Sequence, residues 1–197
     1  MERTESDSSA VVLTVGHSTR PLEEFIHLVQ AHAVKKMVDV RTVPRSRHNP
    51  QFNRETLPAY LAAVGIGYTH LPGLGGLRHP RPDSPNRGWR NASFQGFADY
   101  MQTEEFENNL ETMIQLTYQE RISLMCAEAL PWRCHRSLIA DALRIRGIRV
   151  EHIMSPTHCQ PHSLTPFAKV YGTRITYPPD GKSIVHDVKG VAKPKKE

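Results

Sequence analysis

The sequence predicts an α/β fold, a three-layer sandwich in which helices cover both faces of a mostly parallel central sheet of about five strands. Three observations predict it. Short β-branched apolar runs alternate with stretches of helical periodicity along the chain. The runs end abruptly in polar residues, as expected of buried strands that exit into loops. The alternation itself is typical of strand–helix–strand units with right-handed crossovers.

Five apolar runs supply the predicted strands, at residues 11–15, 37–40, 67–71, 122–126 and 150–154. The third run is the weakest, because it carries the fewest apolar residues. In a parallel sheet, the exits of the strands that precede helices share one edge. Polar residues that follow distant strands are therefore expected to converge there: His17, Asp39, Arg41, His70 and Cys126.

Between the strands, apolar residues recur with helical spacing. The first helix begins after residue 20, with Pro21 in its first turn and Ser18 or Thr19 as the expected cap. Further helices are predicted at residues 56–64 and 134–145, and residues 97–119 suit one long helix or two short ones. Residues 73–96 contain five glycines, three prolines and four arginines, so we expect a long loop that covers the edge where the strands end.

The length of 197 residues and the composition favour one domain, at residues 10–177. Residues 1–9 are predicted to be disordered, and residues 178–197 to be an irregular basic tail. We find no membrane span and no signal peptide, and three cysteines do not make a disulfide framework. These features predict a cytoplasmic protein with reduced thiols.

Arginine is used in an unusual pattern. The net charge of +5 is mild, but arginine outnumbers lysine 17 to 8. Ten arginines fall in four predicted strand-exit loops: Arg20, Arg41, Arg45, Arg47, Arg78, Arg81, Arg87, Arg90, Arg133 and Arg136. The planar guanidinium binds phosphate or carboxylate through two parallel hydrogen bonds, so this pattern favours an anionic small molecule or nucleotide as partner.

The segment at residues 126–136 carries most of the reactive groups. Cys126 ends a predicted strand. It is a candidate nucleophile, because nearby arginines and a helix N-terminus would stabilise its thiolate. The alternative is that Cys126 is a small buried residue without a chemical role. Glu128 or His135 is a candidate for proton transfer. Cys134 suits a resolving thiol. Cys134 and His135, together with Cys126 and His17, could also bind a soft or borderline metal. Their spacing matches no standard zinc motif, and we assign no metal ligand.

Four further residues are predicted to bind the substrate. His17 and Ser18 follow the first strand, a common position for phosphate, although the surrounding glycine pattern is incomplete. Arg41 and Arg136 are candidate anion contacts. Their alternative role is structural, for example a bridge from Arg41 to Glu128, and Asp39 could orient such an arginine or act as a base. A ring in the loops, such as Trp89, could stack on a base or fill a small core.

Four ordered motifs give the chain a resemblance to a known family. They are Thr14–Thr19, residues 38–41 with Pro44 and Ser46, residues 70–76, and Cys126-Ala127-Glu128 followed by Cys134-His135-Arg136. Over residues 12–155 the chain resembles the mainly bacterial family catalogued as domain of unknown function 488. The resemblance implies an α/β domain and assigns no activity.

A weaker likeness is to rhodanese-like sulfurtransferases and cysteine phosphatases. They also place a cysteine between a strand and a helix, with an arginine at the end of the loop. Their loop has five residues between cysteine and arginine, whereas six separate Cys126 from Arg133. This likeness concerns the architecture of the loop and does not transfer an activity.

Three hypotheses for function follow. The first is an enzyme that acts on a phosphate-bearing small molecule, nucleotide or nucleic acid through a Cys/His/Arg site. The second is a non-catalytic nucleic-acid- or nucleotide-binding module, and the third is a metal-dependent redox or hydrolytic enzyme. The sequence leaves the cofactor, the reaction and the oligomeric state open.

Overall fold

The computed structural model describes residues 11–179, which are built on one six-stranded sheet. Five strands are parallel to one another: β1 (Val11–Gly16), β2 (Lys36–Asp39), β3 (Gly67–His70), β4 (Ile122–Cys126) and β5 (Arg149–Ser155). A sixth strand, β6 (His158–Pro161), pairs antiparallel with β5 at the edge of the sheet. All five predicted strands are confirmed, and β6 is an addition to them.

Five helices connect and flank the strands. They are α1 (Leu22–Ala31), α2 (Leu57–Ala63), α3 (Ala92–Tyr100), α4 (Glu104–Thr117) and α5 (Arg136–Arg144). The region predicted as one or two helices forms two, because Thr103 caps α4 by accepting a hydrogen bond from the Phe106 amide. The last residues of the predicted loop, 92–96, belong to α3.

The prediction that Ser18 or Thr19 caps the first helix with its side chain is wrong. Pro21 occupies the N-cap position of α1 and makes no side-chain cap bond. Ser18 instead adopts a left-handed backbone with φ of 51°, and its amide donates to the Ala127 carbonyl. The turn after β1 is thus shaped by its contact with the loop after β4.

Two apolar layers lie on opposite faces of the sheet, which confirms the three-layer sandwich. One layer packs α1 and α2 against sheet residues such as Leu13 and Met125. The other packs α3, α4 and α5 against residues such as Val38 and Leu124. The strand order is β3-β2-β4-β1-β5-β6, so β4 and β1 are the central pair. Cys126 aligns with Gly16, which places both strand ends in the middle of one edge.

The C-terminal part of the described chain is anchored to α5 by a buried carboxylate. After β6, a two-stranded antiparallel sheet forms from β7 (Lys169–Tyr171) and β8 (Arg174–Thr176). Asp141 of α5 is fully buried and accepts hydrogen bonds from His162, Thr165 and Tyr177. This carboxylate therefore joins α5 to the segment at residues 162–177 by hydrogen bonds that the interior shields from water.

A chain of hydrogen bonds continues from this carboxylate into the sheet. His162 donates to Asp141 through Nε2 at 2.8 Å, so its Nδ1 accepts from His152 Nε2 at 3.0 Å. His152 Nδ1 then accepts from the Thr14 hydroxyl at 2.8 Å. His152 is neutral in this arrangement, because its Nδ1 accepts from Thr14 while its Nε2 donates to His162.

Lowering the pH is expected to destabilise the protein through His152. Burial, followed by the neighbouring His162, lowers the pKa of His152 from 6.5 to about 3. The unfolded chain therefore binds a proton that the folded chain excludes. The stability that neutral His152 contributes to the folded protein is complete above pH 6.5 and is lost as the pH falls towards 3. The free energy of unfolding should fall by about 1.4 kcal/mol per pH unit from this group.

Urea denaturation between pH 7 and pH 5 measures this slope. In a His152→Gln variant, whose amide retains the donor towards His162, the slope should be smaller than in the wild type. An equal slope in the two proteins would show that His152 does not contribute.

Residues 1–10 and 180–197 lie outside the described residues. The predicted disordered N-terminus at 1–9 falls there, as does nearly all of the predicted basic tail at 178–197. Among the helices of residues 11–179, none combines the length and apolar character that a membrane span requires.

Candidate functional site

Residues from distant strands meet at the edge where the parallel strands end, as predicted. The backbone amide of His17 donates to the Cys126 carbonyl at 2.9 Å, and Arg41 NH1 lies 3.1 Å from His17 Nε2. His70 Nε2 lies 2.8 Å from the Arg41 carbonyl. His17, Arg41 and Cys126 therefore lie on one side of the molecule. The backbone of Glu128 approaches Gly16 so closely that only glycine fits, since a Cβ atom at residue 16 would lie 2.0 Å from the Glu128 carbonyl oxygen.

Arg41 forms a buried ion pair with Asp39. Its Nε donates to Oδ1 at 2.9 Å and its NH2 to Oδ2 at 2.6 Å, and NH2 also donates to the Phe52 carbonyl. Asp39 thus orients the arginine, and the bridge suggested between Arg41 and Glu128 is replaced by this one. The Arg41 side chain is 7% exposed. Its charge is largely neutralised by the carboxylate.

His17 is held in one tautomer. Its Nδ1 donates to the Ser18 carbonyl at 2.8 Å, so Nε2 is the acceptor that faces Arg41. The ring stacks on Phe52 with 4.2 Å between centroids. Burial, together with the charge of Arg41, lowers the pKa of His17 to about 4. His17 is therefore a neutral, buried ring that positions Arg41, and only its edge lines a cavity.

Cys126, Cys134 and His135 converge below the loop that joins β4 to α5. Cys126 ends β4, and a short 3₁₀ turn at Pro131–Arg133 brings the chain back so that Cys134 and His135 face it. His135 Nδ1 lies 4.0 Å from Cys126 Sγ and 3.8 Å from Cys134 Sγ. All three cysteines of the chain are free thiols, and the third, Cys159, lies elsewhere, beside His32.

The tautomer of His135 follows from its other nitrogen. Nε2 lies 3.1 Å from the Val40 carbonyl, an acceptor only, so Nε2 carries the proton. Nδ1 is then directed at both sulfurs. The carbonyl of Val40, which follows β2, thereby fixes the orientation of the imidazole towards the thiols.

The two thiols have opposite acidities. The pKa of Cys126 lies well below its usual value, chiefly because the Cys134 thiol donates a hydrogen bond to its sulfur, with His135 and the charge of Arg136 adding to this against the effect of burial. The pKa of Cys134 is raised well above its usual value by the same hydrogen bond and by burial. Of the two thiols, Cys126 therefore loses its proton more readily than Cys134.

Arg136 is a buried cation beside the thiols. The sequence predicted that Arg136 contacts an anion at the edge where the strands end, whereas its side chain is 1% exposed and lines neither of the two adjoining cavities at that edge. NH2 donates to the Ala129 carbonyl at 3.2 Å, and neither Nε nor NH1 has a hydrogen-bond partner. A buried charge without a full set of partners is destabilising. Its position favours a thiolate at Cys126 over a role in holding a soluble substrate.

Replacing Arg136 with methionine is expected to separate stability from reactivity. The variant removes a buried charge and two unpartnered N–H groups, so the free energy of unfolding should stay the same or rise by up to about 4 kcal/mol. Alkylation of Cys126 at neutral pH should become slower, because the thiolate loses a favourable charge. Denaturation and mass-spectrometric alkylation rates measure the two effects, and a destabilised variant with unchanged Cys126 reactivity contradicts this account.

A crevice of about 360 Å³ opens onto both sulfurs. Its floor contains Cys126, Cys134 and His135, and its walls include Thr42, Val43, Gly76, Leu77, Asn91, Ser93 and Phe94. The glycine-rich loop thus covers the strand ends, as the fold prediction stated. Gly76 packs against the imidazole, since a Cβ atom there would lie 2.5 Å from His135 Nδ1. Asp99 holds the same loop by accepting hydrogen bonds from Arg81, Ser84 and Asn86.

A second cavity of about 520 Å³ adjoins the crevice. It contains His17, Ser18 and Arg45, and it shares Arg41 and Glu128 with the crevice. Glu128 is half-buried, and its Oε1 accepts from the Leu130 amide at 3.3 Å, which fixes the carboxylate beside the loop. Every predicted site residue except Arg136 therefore borders one of these two adjoining cavities.

One group of side chains has the composition of a metal site. The donor atoms of Cys126, Cys134 and His135 all lie within 4.8 Å of one another, and all three residues border the crevice. Thiolate sulfur and imidazole nitrogen are the donors that zinc and copper prefer. The predicted metal alternative included His17, but this ring binds Arg41 instead.

Several residues of the site have no clear signal in the sequence. Val40 contributes only its carbonyl, and Thr42, Asn91 and Phe94 are ordinary loop and helix-start residues. The Gly75–Gly76 pair is the exception. Two adjacent glycines before an arginine-rich loop indicate a close approach between backbone and another group, which here is the ring of His135.

Fold and site together define an α/β protein with a thiol–imidazole centre at the carboxyl edge of a parallel sheet. The chain belongs to the family described as Domain of unknown function DUF488, whose family model matches residues 21–143. The match includes Arg41, Cys126 and His135, whereas His17 precedes it. No curated protein and no solved structure matches the chain significantly.

Proposed function

We propose that this protein is an enzyme whose Cys126 thiolate attacks an electrophilic centre of a phosphate-bearing substrate. The observation that carries the proposal is the orientation of His135. Its Nε2 proton is committed to Val40, so that Nδ1 faces the Cys126 sulfur at 4.0 Å. A thiol next to an oriented imidazole in an accessible crevice is the arrangement that thiol nucleophiles require.

The chemical step uses groups that are already in contact. His135 Nδ1 takes the proton of Cys126, and the thiolate sulfur forms a bond to the electrophilic atom while the bond to the leaving group breaks. The imidazolium returns the proton to the leaving group. Water then attacks the same atom, and its oxygen forms the new bond while the bond to the Cys126 sulfur breaks. Glu128, which lines both cavities, would take the proton of this water and return it to the sulfur, so that the thiol is restored.

Two unpartnered arginines support an anionic substrate. Arg133 borders the crevice and Arg45 borders the second cavity, and both side chains are exposed. Among the described residues, neither guanidinium has an ion pair or a side-chain hydrogen bond. Glu128 is the one carboxylate among the residues that line the two cavities. A phosphate entering this opening would meet free positive charge close to the sulfur.

Mass spectrometry tests the proposal. The protein is incubated with nucleotides, sugar phosphates and short single-stranded oligonucleotides, quenched in acid, and examined for a covalent adduct or for protection of Cys126 against iodoacetamide. We expect one class of compound to label or protect Cys126 in the wild type and in Cys159→Ser. A compound that is turned over while Cys126 remains open to alkylation would overturn the proposal.

A non-catalytic nucleic-acid-binding role is the second candidate. Trp132 is 55% exposed and borders a further cavity with Arg90 and Arg133, so a stacking ring lies beside positive charge. Binding of single-stranded oligonucleotides should then weaken steeply with salt and should not require Cys126. Binding that is absent at low ionic strength would exclude this role. In either case we place the protein in the cytoplasm, where thiols stay reduced.

A further inference from the structure

We infer that Cys126, Cys134 and His135 form a binding site for a thiophilic divalent cation of the Zn²⁺ class, with a fourth coordination position open to the crevice. This metal site goes beyond the proposed function, because a bound cation would occupy the sulfur that the proposed enzyme uses as its nucleophile. A protein molecule with the cation bound could therefore not use Cys126 for nucleophilic attack.

The distances between the donor atoms suit a tetrahedral ion. With Zn–S near 2.3 Å and Zn–N near 2.0 Å, a tetrahedral site separates sulfur from nitrogen by about 3.6 Å and sulfur from sulfur by about 3.8 Å. Here the two sulfur–nitrogen distances are 4.0 Å and 3.8 Å, and all three donors lie within 4.8 Å of one another. Side-chain rotations that move the donor atoms by a few tenths of an ångström to about one ångström would bring them to these distances.

The imidazole is already oriented as a ligand. Metal-binding histidines usually donate their other ring nitrogen to a carbonyl or carboxylate, which fixes the tautomer and the ring plane. His135 donates through Nε2 to Val40 and directs the Nδ1 lone pair at the sulfurs. A ring that served only to fill space would not need this arrangement.

Arg136 gives a second, independent indication of an anionic centre. Its side chain is 99% buried on the same side of the sheet, and Nε and NH1 have no hydrogen-bond partner. Two thiolates require positive charge around them, which an added cation and this guanidinium would supply together. N–H groups near thiolate ligands are also a common outer contact of metal–sulfur sites.

The open position decides the kind of site. Three protein ligands with a free fourth position are typical of catalytic zinc, whereas structural zinc is enclosed by four. All three donors border the crevice. The fourth position would therefore hold water or an anion, close to the Glu128 carboxylate that borders the same opening.

Cobalt binding provides the direct test. The reduced protein is freed of metal by a chelator, titrated with Co²⁺ without oxygen, and followed by the sulfur-to-cobalt charge-transfer band and the tetrahedral d–d band. We expect one equivalent to bind, and Zn²⁺ to displace it. Cys126→Ser, Cys134→Ser and His135→Phe should each weaken binding at least about 100-fold.

Cys159→Ser is the matched control. Cys159 forms a separate thiol–imidazole pair with His32 at 3.3 Å, so its loss should leave Co²⁺ binding unchanged. A Co²⁺ titration without a charge-transfer band would overturn the inference, and so would Co²⁺ binding by the Cys134→Ser protein as tight as that of the wild type. If the variants fail to fold, alkylation of the wild-type protein with and without Zn²⁺ provides the test. Zn²⁺ should protect Cys126 and Cys134 from alkylation while Cys159 still reacts, and uniform reactivity of the three would contradict the site.

This test is separate from that of the proposed function. The cobalt titration needs no substrate, so a negative result leaves the adduct experiment unaffected. Conversely, if Co²⁺ binds but no compound forms an adduct with Cys126 or protects it, the metal site would stand and the proposed thiolate nucleophile would not.

Discussion

Replacing Cys126 with serine is expected to lower turnover of any substrate of this protein by at least about 1000-fold. A serine hydroxyl is far less acidic than the thiol, so His135 cannot generate a comparable anion at neutral pH. Loss of a catalytic nucleophile in well-studied hydrolases has effects of this size or larger. Steady-state rates on a compound selected by the adduct experiment measure the change.

Two variants serve as controls for this result. Cys159→Ser lies outside the site and should retain full activity. Cys134→Ala retains the Cys126 sulfur but removes the side chain that donates a hydrogen bond to it, so its activity should fall between those of the wild type and Cys126→Ser. A Cys126→Ser protein as active as the wild type would mean that the thiol is structural.

Replacing Asp141 with alanine is expected to lower the free energy of unfolding by about 3–5 kcal/mol. The carboxylate accepts from His162 at 2.8 Å, from the Thr165 amide and hydroxyl at 3.0 and 2.6 Å, and from the Tyr177 hydroxyl at 2.8 Å. Tyr177 is fully buried and His162 nearly so. Without Asp141, their donors would remain in the interior with no acceptor.

Chemical denaturation of the variant measures this loss. Asp83→Ala is the control, because Asp83 pairs with Arg81 at the surface and such pairs contribute about 0–1 kcal/mol. If both substitutions have the same small effect, the Asp141 network does not anchor the C-terminal segment.

The sheet could be predicted because its strands are buried on both faces. β4 and β1 are apolar apart from one small hydroxyl residue each, Ser123 and Thr14, which gives runs that stand out from the helical periodicity between them. Parallel pairing then requires their ends to meet. The convergence of His17, Arg41 and Cys126 is a consequence of that topology.

Elements stabilised by distant polar contacts could not be predicted. β6 is short and largely exposed, and it forms through pairing with β5 instead of through its own apolar residues. His162 had no assigned role, yet it bonds to Asp141 across 21 residues of sequence. Such pairs leave no periodic trace in the chain.

The site itself was predicted in part. A strand followed by a helix located Cys126 and His135, but the direction of each side chain depends on tertiary contacts. Arg136, at the start of a helix, was predicted to contact an anion, and its side chain is buried because α5 packs against the sheet from its first turn. The Val40 carbonyl that orients His135 is a main-chain atom, which side-chain patterns do not report.

Competitive alkylation tests the central claim, that His135 and its neighbours activate Cys126. The reduced, metal-free protein is treated with limiting iodoacetamide at pH 7, and the modified cysteine is identified by peptide mass spectrometry. Cys126 is 8% exposed, whereas Cys159 is partly exposed, so accessibility alone favours Cys159. The account predicts that Cys126 is modified first, because its thiolate is stabilised. Preferential modification of Cys159 with Cys126 left unreacted would contradict it.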